Sequence, residues 1–139
     1  MTISILDASH YLRGLLLLLR KDRRRTEEEI SLILRVGKTL GFEREFCENA
    51  AHEILENEHI EEDPPRFSSP DLAEMFLRDG LTVASSDSFL DPSEEEWILE
   101  VAAANGIGPE RFRSIMEECA CRPGGRGPLE AEKLSVRHT

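Results

Sequence analysis

The sequence predicts an all-α fold, about six helices arranged as two pseudo-symmetric three-helix units packed into one domain. Three observations lead there. Apolar residues recur at helical spacing along nearly the whole chain, and alternating strand patterns are scarce. Caps, glycines and prolines punctuate that pattern at intervals suited to short helices. A shift of 65 residues also lays the first half on the second without a gap.

The first helix is expected from about Ala8 to Lys21, capped by Asp7 or Ser9. The second starts after Thr26 and stops at Gly41, which suits a left-handed C-terminal cap, and Ile30, Ile33, Leu34 and Gly37 form its apolar stripe. The third runs from about Glu43 to Asn57, with Phe46, Cys47, Ala50 and Ile54 facing inward. Pro64 and Pro65 exclude helix and mark a linker over residues 58–68. Ser69 then caps a fourth helix with Pro70 in its first turn, and this helix fades near Ser85. Asp91 caps the fifth, which Gly106 ends, and the sixth runs from Pro109 to about Arg122. The expected domain is therefore 1–122, with units 8–57 and 69–122, and residues 123–139 form a polar, Gly/Pro-led mobile tail.

The repeat is carried by identical residues at equivalent positions. Ala8 falls on Ala73, Leu12-Arg13 on Leu77-Arg78, Leu16 on Leu81 and Asp22 on Asp87. Glu29 falls on Glu94, Ile33-Leu34 on Ile98-Leu99, Val36 on Val101, Gly41 on Gly106 and Glu45 on Glu110. Shared helical patterning inflates such a match, but caps, stops and polar turns are in phase as well, so duplication is the better account. Two units can bury against each other the apolar faces that neither could bury alone.

Composition narrows the function. With 139 residues, 40% hydrophobic and 32% charged, the chain is an ordinary globular domain, and at 6% aromatic its core must be mostly aliphatic. A net charge of -11 argues against nucleic acid as the main partner, because phosphate binding needs a basic surface. The basic run Lys21 to Arg25 is short, contains Asp22 and reads as a solvated turn. Leu15 to Leu19 is too short for an integral membrane segment. Cys47, Cys119 and Cys121 form neither a disulfide framework nor zinc-site spacing, which points to a reducing, cytoplasmic setting.

Each unit places an Asp just past its first helix and a Glu seven residues later: Asp22 with Glu29, and Asp87 with Glu94. Thr26-Glu27-Glu28-Glu29 and Asp91-Pro92-Ser93-Glu94 are capping-box patterns, and a well-made helix start is enough to explain both glutamates. The same carboxylates could instead converge on a calcium-like divalent cation through oxygen ligands. The second copy is the richer, with Asp87, Asp91 and Glu94, whereas Arg23 to Arg25 crowd Asp22 and Glu29 in the first. Neither turn matches the twelve-residue calcium loop, and on spacing alone capping is preferred. His52, Glu56 and His59 share helical spacing in the third helix but read as part of a solvated acidic face. No nucleophile–base arrangement and no glycine-rich phosphate loop is present, so no enzymatic activity is expected.

The Asp-x6-Glu turn followed by an apolar helix ending in Gly41-Phe42 or Gly106-Ile107 resembles the TerB family of tellurite-resistance proteins. The segments Asp22 to Glu45 and Asp87 to Arg111 carry the resemblance, and the helical layout extends it over most of Ala8 to Arg122. It implies an all-helical, internally pseudo-symmetric fold, a role in bacterial chemical-stress responses, and metal binding by Asp22, Glu29, Asp87 and Glu94. The chain departs from the family where its turns usually read Asp-Gly, since Arg23 and Ser88 occupy the Gly position. The function expected is a non-enzymatic accessory protein acting by contacts with other proteins, with divalent-cation binding at the acidic turns. The alternative is a purely structural module, in which the first and fourth helices pack in a homodimer or beneath a larger assembly, a reading motivated by the apolar run Leu15 to Leu19.

Overall fold

A computed structural model describes residues 1–21, 26–84, 90–120 and 129–137. The chain is all-α, with a short strand β1 (Thr2–Ser4) followed by α1 (Ile5–Arg20), α2 (Glu27–Thr39), α3 (Arg44–Glu56), α4 (Pro70–Ala84), α5 (Pro92–Ala104) and α6 (Pro109–Ala120). A 3-10 turn (Glu130–Lys133) and a second strand, β2 (Ser135–Arg137), complete it.

The duplication governs the element boundaries. Adding 65 to the bounds of α2 gives those of α5, and adding it to Arg44 gives Pro109, the first residue of α6. Thr26 and Asp91 cap α2 and α5, both with complete capping boxes. Gly41 and Gly106 follow those helices at φ +91° and +74°, the left-handed conformation that glycine adopts without strain. The caps of α1 and α4 obey the same shift. Ser4 Oγ accepts from Asp7 N at 3.1 Å, and Ser69 Oγ accepts from Leu72 N at 3.2 Å. The cap of α1 is thus Ser4, not Asp7 or Ser9. Asp7 instead lies buried in the first turn, where its carboxylate accepts from the backbone N–H and hydroxyl of Ser68.

The two units pack as a pseudo-dimer. Helix α1 touches α4 and α5 of the other unit, and α4 reciprocally touches α1 and α2, the pattern an isologous two-fold interface requires. The equivalent residues Tyr11 and Phe76 meet edge to face, ring centroids 5.4 Å apart. Each also reaches the residue three positions beyond its partner. Phe76 fills the space a side chain on Gly14 would need, with ring carbons 2.7 and 2.8 Å from an ideal Cβ there. Tyr11 donates its hydroxyl to Asp79, the counterpart of Gly14, at 2.6 Å. This central position explains why α1 is apolar almost all round: Leu15 to Leu19 are all buried by the chain itself.

Two segments outside the six helices are docked. The linker is extended at Pro64 and Pro65 but pinned along its length. Glu62 pairs with Arg20 and Lys21, and its carbonyl accepts from Trp97 Nε1 at 2.9 Å. Asn105 donates to Pro65 O and accepts from Phe67 N, each at 2.8 Å. The tail, expected to be mobile, is packed against the domain over its described part, 129–137. Leu129, Ala131 and Leu134 are buried, and β2 pairs parallel with β1 in the register Thr2–Ser135, Ile3–Val136, Ser4–Arg137. Burial of these apolar side chains and the bonds to Asp79 described below offset the ordering entropy. Residues 123–128 lie outside the described residues.

Candidate functional site

The repeat singles out the acidic turns at the starts of α2 and α5. Glu29 is fully buried at the start of α2, and its Oε1 accepts from the Thr26 backbone N–H at 3.1 Å and hydroxyl at 3.0 Å. Thr26 Oγ1 accepts in return from Glu29 N at 3.2 Å. Glu94 repeats this in α5: it is fully buried and accepts from Asp91 N at 3.3 Å, while Asp91 Oδ1 accepts from Ser93 N at 2.8 Å. Each glutamate therefore has cap donors on one oxygen and sits in the positive end of a helix dipole, which weakens its attraction for a cation. The structure brings Asp91 and Glu94 together, holds Glu29 in the other unit's cap, and leaves Asp22 and Asp87 outside the described residues. Among the described residues no group of three or more His, Cys, Asp or Glu side chains is placed to hold a metal ion. The His52–Glu56–His59 spacing dissolves because α3 ends at Glu56, so His59 lies beyond the helix, and all three side chains are exposed.

Asp79, which sequence reading passed over, is a buried acid that accepts three hydrogen bonds. It is 1% exposed, and it accepts from Tyr11 Oη at 2.6 Å, from Glu130 N at 2.6 Å and from Ala131 N at 2.9 Å. Burial pushes its pKa up to about 6, against the lowering effect of those donors. Burial and the neighbouring Asp79 push the Tyr11 hydroxyl well above its usual range. An aspartate at helical spacing from Met75, Phe76 and Val83 was the available clue, since a buried charge needs partners. Its chemistry is that of a clamp: the start of the 3-10 turn presents two backbone N–H groups to one carboxylate.

The third feature is an open groove between α1 and α3, about 290 Å³, lined by Ser9, Leu12, Arg13, Phe46, Ala50 and Ile54, with Asn49 and Glu53 at its edge. The two helices run in the same direction, for Arg20 at the end of α1 donates to Ile54 O at 2.7 Å and to Asn57 O. Phe46, expected to face inward, is instead 52% exposed at the mouth of the groove, stacked on Phe42 at 5.1 Å. Leu6, one turn before Ser9 on the same face of α1, is 64% exposed.

The second unit closes the same place. The counterparts of Ser9, Arg13, Phe46 and Glu53 are Glu74, Arg78, Arg111 and Glu118, and these form one ion-pair ladder. Arg111 reaches Glu74 at 2.6 Å, and Arg78 reaches Glu118 at 3.2 Å and Glu74 at 3.5 Å. The Arg111 guanidinium holds the Glu74 carboxyl below its ordinary value. One unit thus seals its first-to-third helix seam with charge, while the other leaves it open, apolar and rimmed with acid.

The run Leu15 to Leu19, which motivated the homodimer reading, is consumed by the chain's own core and offers no surface. No helix is long and apolar enough to cross a membrane among the described residues. Comparison with known proteins finds no matching family model, no matching curated protein and no matching solved structure.

Proposed function

We propose that this chain is a non-enzymatic, TerB-like accessory module of bacterial chemical-stress physiology, working in the cytoplasm by contact with another protein. The observation that supports contact is the groove between α1 and α3. A stable helical domain gains nothing from a phenylalanine 52% exposed beside an apolar cleft, and the second unit shows that this framework can close the seam with charged residues. Deleting the gene in its source organism is expected to lower tolerance to tellurite, with the wild-type chain restoring it. Unchanged tolerance sinks the stress assignment.

Cation binding belongs to the same proposal, with Asp87, Asp91 and Glu94 as the preferred set and Asp22 with Glu29 as the weaker one. Calorimetric titration with calcium should give heat in the wild type and none in an Asp87→Asn, Glu94→Gln variant, because glutamine keeps the capping box while lowering the charge. Absence of heat at millimolar calcium in the wild type removes the cation from the proposal.

A further inference from the structure

From the groove between α1 and α3 we infer a docking site for a cationic amphipathic helix of about three turns. This rests on the contact reading above and names the chemistry of the partner. The floor is aliphatic, from Leu12, Ala50 and Ile54, and Phe46 supplies an aromatic wall. The walls run from Phe46 to Ile54, eight residues or about 12 Å at 1.5 Å per residue, and Leu6 carries the apolar surface roughly one turn further. A volume of about 290 Å³ lies at the bottom of the range for pockets that enclose small ligands. It suits anchor side chains projecting from a helix at i, i+3 or i+4, and i+7.

Charge selects among helices. Glu53 edges the groove, and Glu45 and Glu56 flank it on the same side of α3. All three are exposed, and among the described residues none of them forms an ion pair, whereas Glu48 is neutralised by Arg44 at 2.7 Å. Beyond α1 the linker adds the exposed Glu61 and Asp63. The cation at the groove itself, Arg13, is turned towards Glu61 O at 3.4 Å. An acidic rim around an apolar floor attracts Lys and Arg flanking an apolar stripe, and it repels both an acidic helix and an anionic membrane surface.

The duplicated unit supplies the test variant. Ser9→Glu with Phe46→Arg copies Glu74 and Arg111 into the first unit, where the existing Arg13 and Glu53 complete the ladder seen in the second. The probe is a synthetic helical peptide of about 14 residues with leucines at i, i+4, i+7 and i+11 and lysines elsewhere, beside a control with glutamates replacing the lysines. Binding to the full-length chain is read by fluorescence anisotropy and by amide chemical-shift changes. The expected result is micromolar binding of the lysine peptide with shifts confined to residues 6–13 and 46–54. Binding should be at least ten-fold weaker for the glutamate peptide, for the Ser9→Glu, Phe46→Arg variant and in high salt. Equal binding of both peptides, binding undiminished in the folded variant, or no binding of the lysine peptide at millimolar concentration overturns the inference. Light scattering that shows a wild-type dimer broken by the variant also overturns it, by making a second copy of this chain the occupant. If the peptide fails to bind while the deletion strain is still tellurite-sensitive, only the partner's chemistry is wrong. If the peptide binds as expected and tolerance is unaltered, the docking site stands and the stress role falls.

Discussion

At the scale of single residues, Asp79 is where the fold commits a charge to its interior. The side chain joins three segments distant in sequence: α1 through Tyr11, α4 on which it sits, and the chain end through Glu130 and Ala131. Its pKa of about 6 in the folded chain exceeds the ordinary 3.8, so the native state binds a proton that the unfolded state has lost. Stability from this group is full below about pH 4 and is lost as pH rises through about 6. Asp79→Asn cannot titrate. The stability of the wild type relative to this variant should therefore fall by about 1 kcal/mol between pH 5 and pH 7, at about 1.4 kcal/mol per pK unit. Urea unfolding of both proteins at several pH values measures the difference, and a flat difference would show that Asp79 stays ionised throughout.

At the scale of elements, glycines separate two kinds of constraint. Gly106 has space around it and φ of +74°, so Gly106→Ala should cost only the backbone term, about 1 kcal/mol in thermal or urea unfolding. Gly14 sits in α1, where an added Cβ meets Phe76, a ring itself held between Tyr11 and Phe67. Gly14→Ala should cost about 1–3 kcal/mol, with partial recovery when Phe76→Leu is added. A Gly14→Ala cost no larger than that of Gly106→Ala would mean the helices separate freely. Element boundaries were mostly legible in the sequence, because caps and glycines act locally: Thr26, Asp91, Gly41 and Gly106 stand where the pattern places them. The cap of α1 is Ser4, as shifting Ser69 back by 65 gives, but Asp7 and Ser9 are cap-type residues closer to the apolar pattern that begins at Ala8 and so compete with it in the sequence. Phe46 was misplaced for a different reason. The stripe Phe46, Cys47, Ala50 and Ile54 is wider than the face α3 buries, and periodicity cannot say which edge stays open.

At the scale of the whole molecule, the docked chain end is what sequence reading could not reach. Leu129, Ala131 and Leu134 are too few to make a pattern, and the carboxylate that holds them lies about fifty positions earlier. The groove was invisible for a related reason: it exists only by comparison with the ladder Glu74–Arg78–Arg111–Glu118 in the other unit. Ending the chain at residue 128 should cost about 2 kcal/mol net, after the ordering entropy of the segment is set against two buried leucines. The corresponding fall in Tm is roughly 5–10 °C. The truncated chain should also lose much of the pH dependence assigned to Asp79, because the carboxylate is then hydrated. A Tm unchanged by truncation would show that the end does not belong to the cooperative unit.

The contacts of Tyr11 and Phe76 across the pseudo-axis carry an implication for how the halves recognise one another. A pair of first units would point each Tyr11 hydroxyl at a Gly14 that has no acceptor to offer. A pair of second units would press each Phe76 against an Asp79 deprived of its phenolic donor. Only the mixed pairing gives the hydroxyl its carboxylate and the ring its vacancy. The duplicated halves have therefore diverged into complementary partners, and neither can replace the other in forming the shared core.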